Sequence, residues 1–306
     1  MATPVTEQLH QDAIGLDARP LNEVAELLAR SQSDAAAAPL ASLTPICTGA
    51  KAMAQTIRSD GILRYLAAGS SGLMAASDAL ELGGTYSIPA SQIRIHMAGG
   101  LPSGVEMPGD VEDATDNLGH ELADLSTKDT LITVSASGTT PYTVAAARIA
   151  RAKGVTVIGI ANNGGTELLQ LADHPILLST PPELISGSTR MGAGTAQKIA
   201  LNMLSTLMAI DLGHIQDGMM INLRADNYKL RTRAKGIVCQ LTGVTPELAA
   251  SALNAADGNL KCAALMAAGA RTQNDALALL RATNDHLRPA LEKIRNKETT
   301  NLGDTK

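Results

Sequence analysis

The stretch Thr130–Ala150 (TLITVSASGTTPYTVAAARIA) decides the fold. Thr130–Ser135 is a nearly continuous β-branched run, which reads as a strand buried on both faces. Ser135-Ala136-Ser137-Gly138-Thr139-Thr140-Pro141 then turns the chain. Thr140 suits an N-cap and Pro141 the first helical position, so a helix is expected from Tyr142 to Lys153. Strand, hydroxyl-rich turn and helix together make one half of a βαβ unit.

The alternation continues on both sides. Ile62–Ala67 (ILRYLA), Gln92–Met97 (QIRIHM), Val155–Ala161 (VTVIGIA) and Pro175–Ser179 (PILLS) are the other expected strands. Helical runs at 44–59, Leu73–Leu82, 111–125, Leu168–Ala172 and Ala193–Ile210 surround them. This predicts an α/β fold with a doubly wound, mostly parallel five-stranded sheet and ligands at the carboxyl ends of its strands. From about residue 215 the strand signal ends. Helical runs at 218–236, 237–242, 246–255, 260–268, 274–283 and 285–296 predict a C-terminal helical subdomain, with Thr245-Pro246 as a second N-cap and first-position pair. The last ten residues are expected to fray. The expected organisation is an N-terminal helical extension at 1–43, a ligand-binding α/β domain at 44–214 and the helical subdomain at 215–306.

Composition narrows the function classes. The 306 residues carry 25 Lys and Arg against 30 Asp and Glu, a formal net charge of −5. That balance excludes partners held by broad positive charge, such as nucleic acid or an anionic membrane. Trp and Phe are absent and there are only 4 Tyr, so stacking platforms for single strands are missing. Cys47, Cys239 and Cys262 form no C-x-x-C pair and read as reduced thiols in a cytoplasmic protein. The acidic residues Glu7, Asp12, Asp17, Glu23 and Glu26 leave no apolar segment for a signal peptide, and no run of about twenty apolar residues suits a membrane span.

Four places could carry chemistry. Ala68-Gly69-Ser70-Ser71-Gly72 follows a strand and precedes a helix, where glycines admit a ligand and hydroxyls hold an anion. Alone it equally fits an ordinary βα turn, and it has neither the dinucleotide glycine spacing nor the lysine of a nucleotide phosphate loop. The Ser135–Pro141 turn sets Ser135, Ser137, Gly138, Thr139 and Thr140 at a helix N-terminus, whose dipole favours a phosphate. Ser186-Gly187-Ser188-Thr189-Arg190, with Lys198 just beyond, adds hydroxyls and two cations. Read blandly, it is a capped helix start with a solvated arginine.

The fourth place is a glutamate pair. Glu81 is expected near a helix end closed by Gly83-Gly84, and Glu112 near a helix start capped by Asp110. A carboxylate is disfavoured as an anion at a helix C-terminus and favoured at an N-terminus. If both face one pocket, Glu81 suits a proton donor and Glu112 a base; surface glutamates would show the same spacing. The six histidines, His10, His96, His120, His174, His214 and His286, show no metal-ligand spacing on one helix face, and only His96, at a strand end, draws attention.

The order of these motifs resembles the N-acetylmuramic acid 6-phosphate etherases, which carry a sugar isomerase (SIS) domain of flavodoxin-like type. The resemblance covers roughly residues 6 to 295. It rests on Thr6-Glu7, Leu16-Asp17, Gly69-Ser70-Ser71-Gly72, Asp78-Ala79-Leu80-Glu81, Thr85-Tyr86, Val111-Glu112-Asp113, Ala136–Tyr142, Gly187–Met191, Asn227 and Lys229-Leu230. Its most specific stretch is Ala193–Lys198, continuing into Leu201–Thr206.

The resemblance implies a lyase that cleaves the D-lactyl ether of N-acetylmuramic acid 6-phosphate to N-acetylglucosamine 6-phosphate and D-lactate, in cell-wall sugar recycling. It implies Glu112 as the base at C2, Glu81 as the acid that helps lactate leave, and no metal or other cofactor. Phosphate would rest on Ser135, Ser137 and Thr140, with Ser70 and Ser71 facing the sugar, in a homodimer whose sites lie near the subunit boundary. Leu73, Thr139 and Gly192 stand where the family usually has cations, and Gly83-Gly84 where it has Pro-Pro. Either Arg190 and Lys198 compensate or the substrate is less anionic. A sugar-phosphate isomerase, a lyase on another sugar phosphate, or a non-enzymatic sugar-phosphate sensor are the rival expectations.

Overall fold

The structure is a computed structural model that describes residues 3–107, 109, 111–223 and 228–303, with side chains as far as Asn296. These residues fall into two compact units, one holding residues up to Glu81 together with Pro89–Leu207, the other Leu82–Ile88 and the residues from Met208 onward.

The first unit is built on five strands: β1 (Leu63–Ala67), β2 (Ile93–Met97), β3 (Thr130–Ser135), β4 (Thr156–Ala161) and β5 (His174–Leu177). All pair in parallel in the order β2-β1-β3-β4-β5. The helices are α1 (Leu21–Ala36), α2 (Leu43–Arg58), α3 (Gly69–Tyr86), α4 (Leu118–Glu121), α5 (Pro141–Ala152), α6 (Glu167–Leu171) and α7 (Gly192–Asp211). The expected α/β sheet and its strand positions are therefore present.

Every residue of β1 and β3 is buried, so the two central strands need cover on both faces. Alternation divides the cover. Leu131 and Val157 belong to a cluster with Tyr142, Val144 and Ala147 of α5, whereas a Cβ placed on Gly49 of α2 would meet Ile158 Cδ1 at 3.3 Å. The strand order reverses between β1 and β3, and a crevice opens at such a point beyond the carboxyl ends of the strands. Register aligns those ends, since Ala67 pairs with both Met97 and Val134. The loops after β1 and β3, Gly69–Gly72 and Ser135–Pro141, therefore flank one crevice.

Three sequence expectations are corrected. First, α3 begins at Gly69 and runs through Gly83 and Gly84, which have no positive φ, to Tyr86. The left-handed residue that closes it is Ser87, at φ 55°. Glu81 thus lies inside the helix rather than at its end. Second, 111–125 is mostly turns, with only the short α4 helical. The carbonyl that would have accepted a helical bond, that of Glu112, accepts the Tyr142 N–H at 3.1 Å instead. Glu112 is therefore in a turn, and the Asp110 cap lies outside the described residues.

Third, a hairpin follows α7. β6 (Ile215–Gln216) and β7 (Met219–Met220) pair antiparallel around Asp217 at φ 50° and Gly218 at φ 73°. Asp-Gly with both residues left-handed is a favoured two-residue hairpin turn. The helices α8 (Tyr228–Thr242), α9 (Pro246–Ala255), α10 (Leu260–Ala267), α11 (Gln273–Arg281) and α12 (Leu287–Gly303) follow. α8 merges two expected helices, and α12 continues to Gly303 through residues expected to fray. Thr245 caps α9 as expected, its hydroxyl accepting the Leu248 N–H at 3.4 Å. Asn227 and the Asp226 beside it lie outside the described residues.

Candidate active site

The hydroxyl loop forms one hydrogen-bonded cluster. Ser135 Oγ lies 2.8 Å from Thr140 Oγ1 and 3.2 Å from Ser137 Oγ, and Thr139 Oγ1 donates to Ser137 Oγ at 3.2 Å. Ser135 Oγ also accepts the Gly138 N–H at 3.0 Å. Thr140 is the N-cap of α5 with Pro141 in the first turn, yet its side chain makes no cap bond. Its hydroxyl is turned into the cluster, where an anion can replace it as partner.

Gly138 makes this shape possible. Its φ is 71°, and a Cβ there would lie 2.7 Å from Thr166 Cβ. Gly138→Ala should lower the unfolding free energy by about 2–4 kcal/mol, from left-handed strain and the clash together. Urea unfolding would check this, and a loss below about 0.5 kcal/mol would show that the loop relaxes freely.

Ser70 and Ser71 sit in the first turn of α3, Ser71 buried and Ser70 half-buried. Glu112 reaches this turn from the β2–β3 connection. A Cβ placed on Gly69 would stand only 2.5 Å from Glu112 Oε1, so the carboxylate lies directly against the Gly69 backbone, where φ is 53°. The Glu112 main chain is meanwhile bonded to Tyr142 in α5. The base candidate is thus held between the first turns of α3 and α5. Val111 and Ala114, beside it, line a cavity of about 630 Å³ together with His96, Gly99, Gly100 and Tyr142. Neither Glu112 nor the hydroxyl loop lines that cavity. Burial and the nearby Arg64 push the His96 imidazole below its usual pKa. Burial likewise raises that of the Tyr142 phenol, which donates to Glu121 Oε2 at 2.8 Å.

Ser188 and Thr189 are half-buried and Arg190 is exposed in the loop that enters α7. The Gly194 N–H bonds the Thr189 carbonyl at 2.9 Å. The start of α7 is already occupied by a protein anion. Glu183, 2% exposed, accepts the Gly192 N–H on Oε2 at 2.9 Å and the Ala193 N–H on Oε1 at 2.8 Å. A Cβ on Gly192 would lie 3.1 Å from Glu183 Oε2 and 3.2 Å from Ala35 Cβ, so this chain has little room for a side chain there. Glu183 carried no local signal in the sequence, because the backbone it caps lies nine residues ahead. Carboxylates therefore stand at the starts of α3 and α7, while α5 opens onto hydroxyls. An incoming phosphate is best placed at α5.

Lys198 is exposed on α7 and its charge acts on Asp78. Asp78 is buried and accepts from Tyr65 Oη at 3.0 Å, Asn202 Nδ2 at 2.8 Å and Ser205 Oγ at 2.9 Å. Burial raises the Asp78 pKa, and these bonds with Lys198 oppose the rise. The network ties β1, α3 and α7 together.

One expected residue is not brought in. Glu81 is exposed and lies twelve residues along α3 from Gly69, about 18 Å at roughly 1.5 Å per residue. Within one chain it is remote from Glu112.

Residues 101–211 match the SIS domain family. The chain is 38% identical over 289 residues to N-acetylmuramic acid 6-phosphate etherase of Deinococcus radiodurans, covering 94% of each chain. It belongs to the N-acetylmuramic acid 6-phosphate etherase family. The enzyme of that name from Streptomyces avermitilis is 37% identical over 293 residues, covering 95% of this chain and 94% of its own. Among solved structures, a Bacteroides fragilis protein assigned as a phosphosugar isomerase involved in capsule formation superposes with a TM-score of 0.50 at 18% identity. It covers 63% of this etherase-family chain and 91% of its own length, a likeness of fold.

Proposed function

We propose that this chain cleaves the D-lactyl ether of N-acetylmuramic acid 6-phosphate, giving N-acetylglucosamine 6-phosphate and D-lactate. The observation that carries the reading is the Glu112 carboxylate lodged against Gly69, beside a hydroxyl-lined helix start. The phosphate takes hydrogen bonds from Ser135, Ser137, Thr139 and Thr140 around Gly138, and Ser70 and Ser71 face the sugar. Ser188 and Thr189 add hydroxyl donors and Arg190 a cation, while Lys198 is partly engaged by Asp78.

The sugar reacts with its ring open. Glu112 removes the C2 proton, and the electron pair of the broken C2–H bond forms the C2=C3 bond as the C3–O bond breaks. The departing lactate oxygen takes a proton from Glu81. Glu81 then takes a proton from water as its hydroxyl adds to C3 of the unsaturated aldehyde, and Glu112 returns a proton to C2, which restores both carboxyl groups. Atoms and charge balance with water as the only co-reactant.

The distance between the glutamates supports a homodimer. Glu81 meets Glu112 only if a second copy supplies it, so the working form is a homodimer with composite sites. Leu73 and Leu80, seven residues apart and so on one face of α3, are 38% and 68% exposed and fit an interface face. A phosphorylated sugar does not cross a bilayer unaided, which suits a cytoplasmic enzyme. No helix among the described residues is long and apolar enough to cross a membrane.

Incubation of the full chain with the substrate in deuterated water tests the reading. The expected products are D-lactate and N-acetylglucosamine 6-phosphate with deuterium at C2. Turnover without lactate, or binding without turnover, would replace the etherase reading by an isomerase or a sensor.

A further inference from the structure

An N-terminal turn, Val5–Glu7, is hooked toward the hydroxyl loop. Thr6 is 4% exposed. Its N–H donates to Asn163 Oδ1 at 3.3 Å, and Asn163 Nδ2 donates back to Thr6 Oγ1 at 2.9 Å. The same Asn163 amide reaches the Ser137 carbonyl at 3.3 Å, inside the hydroxyl loop. The neighbouring Asn162 accepts from Gln197 Nε2 of α7 at 3.0 Å. The β4 end thus ties an N-terminal turn, Val5–Glu7, to both α5 and α7.

Glu7 is the residue this hook presents. Its side chain is exposed, and a Cβ placed on Gly187 would stand 4.0 Å from Glu7 Oε2. The carboxylate therefore lies beside the 186–190 loop, while Asn163 holds the same N-terminal turn to the hydroxyl loop. A carboxylate only accepts hydrogen bonds, so it is no ligand for a phosphate and suits hydroxyl or amide N–H donors.

We propose that Val5–Glu7 forms a wall of the binding site, in which Glu7 accepts hydrogen bonds from the hydroxyl or amide groups of the bound sugar while Thr6 and Asn163 position it. This rests on the sugar-phosphate reading above, but not on lactate being released. Glu7 becomes a specificity residue: it reads the carbohydrate part of a ligand whose phosphate is read at α5.

Calorimetry on the full chain separates these parts, with N-acetylglucosamine 6-phosphate and inorganic phosphate as the two probes. Glu7→Ala should weaken the sugar phosphate about tenfold or more, the size of a bond to a charged group, and leave inorganic phosphate unchanged. Glu7→Gln, which keeps one acceptor oxygen, should fall between. Asn163→Ala should weaken both probes, because it frees the wall and the Ser137 carbonyl together; its melting temperature is read alongside. If Glu7→Ala changes neither affinity by more than twofold, Glu7 does not touch the sugar and the proposal fails. An equal loss for both probes would also overturn it, since Glu7 would then be acting on the phosphate loop. If the wild-type chain binds inorganic phosphate but not the sugar phosphate, both this proposal and the sugar-phosphate reading fall. If it binds the sugar phosphate without releasing lactate from the muramic substrate, only the etherase reading falls.

Discussion

Glu112→Gln stops turnover: D-lactate release falls by a factor on the order of 10³ or more, and exchange of the substrate C2 proton with solvent deuterium ceases with it. The size follows from general-base catalysis, which contributes roughly 10²–10⁴, plus the loss of the only group assigned to C2. Gln keeps the shape and replaces the basic carboxylate by an amide too weakly basic to take the proton. The turn itself should survive, because it is held by the main-chain bond from Tyr142 to the Glu112 carbonyl rather than by the carboxylate. Glu112 is exposed, so the melting temperature should move little. Deuterium exchange by mass spectrometry is the decisive readout. If the variant still exchanges C2 at the wild-type rate, Glu112 is not the base.

Glu81→Gln should behave differently, keeping C2 exchange while losing lactate, since the proton can come off and return without the ether breaking. The larger effect appears on combining the two variants. Each alone is inactive in lactate release. A heterodimer of one Glu81→Gln chain and one Glu112→Gln chain, isolated with two affinity tags, should regain about half of the wild-type activity, because a two-fold interface gives one intact composite site and one doubly damaged site. The reason is the run of α3 between Gly69 and Glu81, about 18 Å of rigid helix that no side-chain rotation spans. If both carboxylates served the same chain's site, neither half of the heterodimer would be intact and no activity would return. That result would end the composite-site arrangement.

Much of the framework was readable without coordinates. β1, β3 and β4 are apolar runs bounded by Gly, Ser and Pro, and such local signals survive any tertiary context. The hydroxyl loop was readable for the same reason, as Gly138, the N-cap position Thr140 and Pro141 lie within a few residues of one another. The helix expected at 111–125 failed because a distant N–H, that of Tyr142, took the Glu112 carbonyl. The helix end expected at Gly83-Gly84 failed because glycine permits a left-handed residue without requiring one. The hairpin at Ile215–Met220 was missed although Asp217-Gly218 marks it, since two-residue strands are too short to show alternation.

The amino-acid sequence by itself determined the parallel sheet, the position of the hydroxyl loop after β3 and the family to which the chain belongs. Each of these is written in neighbouring residues or in their order. Only the tertiary structure decided that Glu112 rests on Gly69, that Glu183 fills the start of α7, that Thr6 is fastened to Asn163, and that Glu81 stands a helix length away from Glu112. Those are meetings, or separations, of groups far apart along the chain. Strand order, crossovers and helix rise set them, and no local pattern of residues encodes such distances.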